Sequence, residues 1–70
     1  MPIVYEIRIE GHLDPRWNAW LEGMTITWLE NGETLLTGPV ADQSALHGLL
    51  NRIRDLNLKL VWVEKKKELP

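Results

Sequence analysis

Asn31-Gly32 stands between two β-rich runs, Met24 to Glu30 and Glu33 to Gly38. This dipeptide is the strongest short hairpin signal, because a type I′ turn needs positive φ at both central residues. A hairpin here commits the chain to an antiparallel sheet. With a two-residue loop, Trp28 lies opposite Leu35 and Ile26 opposite Thr37. The other face then pairs Thr27 with Leu36 and Leu29 with Thr34. That register sets Glu30 against Glu33, a mildly unfavourable like-charge pair. A longer turn end would relieve it.

The other elements are placed around this hairpin. Ile3, Tyr5, Ile7 and Ile9 alternate with Val4, Glu6, Arg8 and Glu10, the period of a strand with one buried face. Gly11 ends it. Asp14-Pro15 then supplies an N-cap and a first helical residue. Trp17, Trp20 and Leu21 share one face of a two-turn helix that stops at Gly23. After Gly38-Pro39, Asp42 caps a second helix. Its stripe is Leu46, Leu49, Leu50, Ile53 and Leu56, with Asn57 as the left-handed stop. A last strand runs from Leu58 to Val63, with Leu58, Leu60 and Trp62 on one face and Lys59, Val61 and Val63 on the other.

The order β-α-β-β-α-β predicts an α+β, ferredoxin-like fold: a four-stranded antiparallel sheet with two helices on one face, the first short. Residues 1–64 form the single domain. Residues 65–70 read as a charged, fraying tail.

The 70 residues include no Cys, so disulfides and cysteine-based zinc sites are excluded. His12 and His47 have no metal-ligand spacing, and no metal or cofactor is expected. A net charge of −2 argues against nucleic acid as a partner. No apolar run approaches a membrane span, and no secretory leader is recognisable. A soluble, cytoplasmic protein is expected. A chain this small often leans on a partner subunit, so self-association as a dimer or higher is the first structural expectation.

Two helices cover one sheet face. The other carries Val4, Leu29, Leu36, Val61 and Val63 among Glu6, Arg8 and Lys59, more aliphatic surface than a monomer usually exposes as one patch. The plainer reading is that these residues are scattered singly. Gly48, near Arg52 on the outer face of the second helix, costs about 1 kcal/mol relative to Ala and invites a close contact. Val4, Arg8, Leu29, Leu36, Val61, Val63, Gly48 and Arg52 are therefore the ligand or interface candidates. No nucleophile–base–orienter set is visible. His12 and Arg16 flank a strand-to-helix junction able to hold an anion, although Asp14 already caps it. The four Trp serve a small core lacking Phe as readily as a pocket.

Met1-Pro2-Ile3-Val4 resembles the opening of the 4-oxalocrotonate tautomerase family. The resemblance implies that Pro2, once Met1 is removed, acts as a base, with His12 or an arginine (Arg8 or Arg16) assisting. It ends near Glu10-Gly11, where that family continues into one long helix and a parallel strand. A second resemblance spans nearly the whole chain. Thr37-Gly38-Pro39-Val40, Asp42-Gln43 and Ala45-Leu46-His47-Gly48-Leu49-Leu50 look like a pattern in short uncharacterised bacterial proteins, as does Tyr5-Glu6-Ile7-Arg8. It implies no activity. The expected function is a small non-enzymatic, homo-oligomeric module for protein or small-ligand binding. The alternative is a tautomerase-like enzyme.

Overall fold

The computed structural model describes residues 3–68. Strand β1 (Ile3–Glu10) leads into a 3₁₀ turn at Pro15–Asn18, then β2 (Thr25–Trp28), β3 (Glu33–Val40), helix α1 (Gln43–Asp55) and β4 (Leu60–Glu68). The four strands form one sheet in the order β2-β3-β1-β4, antiparallel at every pairing. The ferredoxin-like expectation of two helices is overturned: the described residues form one α-helix, and the order is β-β-β-α-β.

The missing helix has a local cause. The Asp14 carboxylate accepts the Arg16 N–H at 3.0 Å, a bond that closes a tight turn. The Leu21 N–H is then shared between the Trp17 and Asn18 carbonyls, and the Gly23 N–H reaches back to Asn18 at 2.7 Å. Glu22 and Gly23 both take positive φ, 59° and 76°, and turn the chain into β2. A segment this short cannot offset the cost of nucleating an α-helix. It settles instead into the turns that bury Leu21. The expected Trp17–Trp20–Leu21 stripe dissolves: Leu21 is fully buried, whereas Trp17 and Trp20 are exposed.

α1 has both its stops. Asp42 accepts the Ala45 N–H at 2.8 Å. Asn57 takes φ 59°, its N–H reaches the Arg54 carbonyl, and the Leu58 N–H reaches that of Ile53. These two bonds form a Schellman motif, in which Leu58 and Ile53 supply the usual apolar contact. Leu46, Leu49 and Ile53 of α1 pack with Ile7 and Ile9 of β1, Leu36 and Val40 of β3, and Leu13, Leu21 and Met24 of the β1–β2 connection. Met24 fits because β3 has a glycine beneath it; a Cβ on Gly38 would come within 2.8 Å of the Met24 sulfur.

Two register details decide which side chains join this core. The hairpin loop has three residues, Glu30, Asn31 and Gly32: the Leu29 N–H donates to Glu33 and the Gly32 N–H to Leu29. Gly32, at φ 86°, supplies the left-handed residue that this loop class uses. Trp28 consequently pairs with Thr34, Thr27 with Leu35 and Ile26 with Leu36. The two-residue loop is thus corrected by one position, which exchanges the faces of Leu35 and Leu36. Leu36 is fully buried beneath α1, and Glu30 no longer opposes Glu33. In β4, Ile9 pairs with Leu60 and Arg8 with Trp62, so Val61 is an extra, bulged residue. Val63 pairs with Ile7 and packs against the core, while Trp62 turns to the opposite face. β4 continues through Glu68, so 65–68 belong to the ladder rather than to a tail.

Thr34 is the one buried polar side chain among the described residues. Its hydroxyl donates to the Gly11 carbonyl at 2.6 Å and accepts the Leu13 N–H at 3.0 Å. It thereby anchors the start of the β1–β2 connection to β3. Thr34→Val leaves the buried Leu13 N–H without a partner and removes the donor to the part-buried Gly11 carbonyl. It should lower the unfolding free energy by about 1–3 kcal/mol in urea denaturation, with Thr34→Ser recovering most of the loss.

Candidate binding surface

The face of the sheet turned away from α1 has no covering layer among the described residues. Its side chains follow from the register: Thr25 and Thr27 on β2, Leu35 and Thr37 on β3, Val4, Glu6, Arg8 and Glu10 on β1, Trp62 and Glu64 on β4. Arg8 occupies the centre, between Leu35 and Trp62. Its guanidinium carbon sits 4.7 Å from the Trp62 ring centroid, a cation–π stack. Arg8 makes no ion pair among the described residues, and its Nε is buried without a hydrogen-bond partner. The neighbouring charges do pair: Lys66 lies 3.9 Å from Glu6 and 3.4 Å from Glu64, and Lys59 lies 3.7 Å from Glu10. Val4, Leu35 and Trp62 are half-buried on this face.

The remaining interface candidates divide. Leu36 and Val63 belong to the core side and leave the surface set. Leu29 is the last residue before the hairpin loop, and its carbonyl lies 3.1 Å from His12 Nε2. Val61 is the exposed bulge residue. Arg52 faces its own chain: it donates to the Trp20 carbonyl at 2.8 Å, lies over the Trp20 ring at 4.9 Å and reaches Glu22 at 3.5 Å. These contacts hold the β1–β2 connection against α1. Gly48 borders open space, with nothing within 4 Å of a Cβ built there.

Pro2 lies outside the described residues. His12 and Arg16 are engaged separately. His12 stacks on Trp28 with ring centroids 4.7 Å apart and planes within 4°, and Trp28 Nε1 donates to the Leu13 carbonyl at 2.7 Å. A carbonyl oxygen only accepts, so His12 meets Leu29 with Nε2 protonated. Arg16 pairs with Asp14 at 3.1 Å on the surface. No group of three or more acidic, His or Cys side chains among the described residues could hold a metal ion.

On the helix side, a cleft of about 260 Å³ opens between the end of β3 and the start of α1. Met24, Val40, Ala45 and Leu49 form its apolar walls, and Glu22 is its only charged lining residue. Sequence reasoning missed Leu35, Trp62 and this cleft. The first two depend on the loop length and the bulge. The cleft is lined in part by Glu22, whose positive φ has no sequence signal beyond the following glycine.

The fold defines a small α+β domain with one face of its sheet under a helix and the other open. The chain belongs to the DUF8691 family, a domain of unknown function, which it matches over residues 4–64. Comparison with curated proteins and with solved structures found no match. No helix among the described residues is long and apolar enough to cross a membrane.

Among the described residues nothing requires glycine at position 48, where the half-buried backbone is helical. Gly48→Ala should therefore stabilise the domain by about 0.5–1 kcal/mol in thermal unfolding. A methyl that stabilises the fold yet abolishes association would place a partner's backbone at this point of α1.

Proposed function

We propose that this domain is a non-catalytic, self-associating binding module of the cytoplasm, whose uncovered sheet face receives a protein or small-molecule ligand bearing a carboxylate. The observation that carries this reading is Arg8: a guanidinium at the centre of the open face, stacked on Trp62, flanked by Leu35 and without an ion partner among the described residues. A cation stacked on an indole and bordered by aliphatic groups favours a ligand that combines an anionic head with an apolar body. The other cations beside it, Lys66 and Lys59, already lie near carboxylates. Chain size supports self-association, because a core this small gains from any further apolar burial.

Native mass spectrometry of gently purified protein over a concentration series tests both parts. The expected result is a dimer or larger species, with a co-purifying mass that is lost in Arg8→Met. Met keeps much of the apolar stem of Arg8 and removes the charge. A bare monomer throughout, with Arg8→Met indistinguishable from wild type, would overturn the reading.

A further inference from the structure

The two edges of the sheet are built differently. β4 is the guarded edge: it carries two register irregularities against β1, and Glu64, Lys65 and Lys66 follow one another along it. Bulges and consecutive charges are the usual protection against edge-to-edge pairing. β2 has neither. Its residues are Thr25, Ile26, Thr27 and Trp28, with no charge, no proline and an unbroken register against β3.

The hydrogen-bond parity shows what β2 offers. Leu29 donates to Glu33 at the hairpin end, so Leu29 and Glu33 form a bonded pair. Bonded and non-bonded pairs alternate along an antiparallel ladder. Thr27 and Thr25 are therefore the residues bonded to β3. The N–H and C=O groups of Ile26 and Trp28 point away from β3, and among the described residues β2 has no strand neighbour but β3, although the turn at Pro15–Asn18 also lies close to it.

We propose that two copies of this chain pair antiparallel through β2, with the two-fold axis at Thr27, to give a continuous eight-stranded sheet. The inference rests on the self-association proposed above and assigns its interface. With the axis at Thr27, Ile26 of each copy meets Trp28 of the other, and the four outward backbone groups of each β2 are all paired. An axis at Ile26 or at Trp28 leaves some of them unmatched within the strand. The same register lays Trp28, which is 54% exposed, across Ile26 of the second copy. Aromatic–β-branched pairs of this kind stabilise a sheet. Trp28 is already held for this contact by the His12 stack and by its bond to Leu13. No like charges meet, whereas the same pairing at β4 would bring lysines together. The axis stands perpendicular to the sheet, so both open faces, each with its Arg8, look the same way.

Thr27 is exposed on the open face, where a substitution leaves the β2–β3 backbone bonds in place. Sedimentation equilibrium of wild type, Thr27→Lys, Thr27→Glu and an equimolar mixture of the two variants tests the arrangement, with circular dichroism confirming that each is folded. The wild type should dimerise. Each variant alone sets like charges against each other across the axis and should weaken the dimer at least about tenfold. The mixture should restore it as a heterodimer. A wild-type dimer that either folded variant retains, or a mixture that fails to recover it, overturns the β2 interface and leaves self-association standing. Should Thr27→Lys fail to fold, Thr27→Glu alone decides by the same loss or retention. A wild type that stays monomeric at every concentration overturns both.

Discussion

Gly32 closes a three-residue loop at φ 86°, and that backbone choice sets the phase of β3 against β2. Side chains alternate between the faces of a strand, so the phase decides which half of Glu33–Val40 is core. It sends Thr34, Leu36 and Val40 beneath α1 and leaves Leu35 and Thr37 on the open side. Because β3 also pairs with β1, the same phase aligns Leu36 with Ile7 and Thr34 with Ile9. The Thr34 hydroxyl can then meet Gly11 and Leu13, which fixes where the β1–β2 connection departs. The bulge at Val61 does for β4 what Gly32 does for β3. It keeps Leu60 and Val63 on the side of Ile9 and Ile7 while Trp62 crosses to Arg8.

The molecule is therefore two-sided. On one side, α1 and the irregular connection share the cover of the sheet, joined through Arg52 and Trp20. On the other, one cation–π pair occupies the middle of a surface whose remaining charges are largely matched by neighbours. Exposed ion pairs of this kind contribute little to stability. Among the described residues of this face, Arg8 is the cation without a carboxylate partner.

What the sequence made legible follows the reach of each signal. The Ile3–Ile9 alternation and the α1 stripe are periodic over their whole lengths, and both elements are present. The stops at Asp42 and Asn57 are single-residue signals with one geometric solution each, and both hold. Asp14-Pro15 is different, because the same pair opens a 3₁₀ turn as readily as an α-helix. Only the length of the following segment separates the two outcomes. Asn31-Gly32 marks a hairpin but does not choose between two and three loop residues, and that one residue moved Leu35 and Leu36 to opposite faces. The bulge at Val61 has no sequence mark at all, so periodicity alone places Trp62 and Val63 on the wrong sides. Arg8 was legible as a surface residue of β1; its stacking partner was not.

β1 lies in the middle of the sheet, and its two neighbours come late in the chain: Tyr5 pairs with Gly38 on one side and Lys65 on the other. As the polypeptide leaves the ribosome, the strand bearing Ile7 and Ile9 is synthesised before both its neighbours and gains the second only when β4 has emerged. Pairings this remote in sequence slow folding, because the entropy of closing a long loop is spent before the contacts form. The hairpin and α1 are local and can assemble beforehand. Until β4 arrives, β1 has at most β3 beside it, and its open edge is the segment a chaperone would meet.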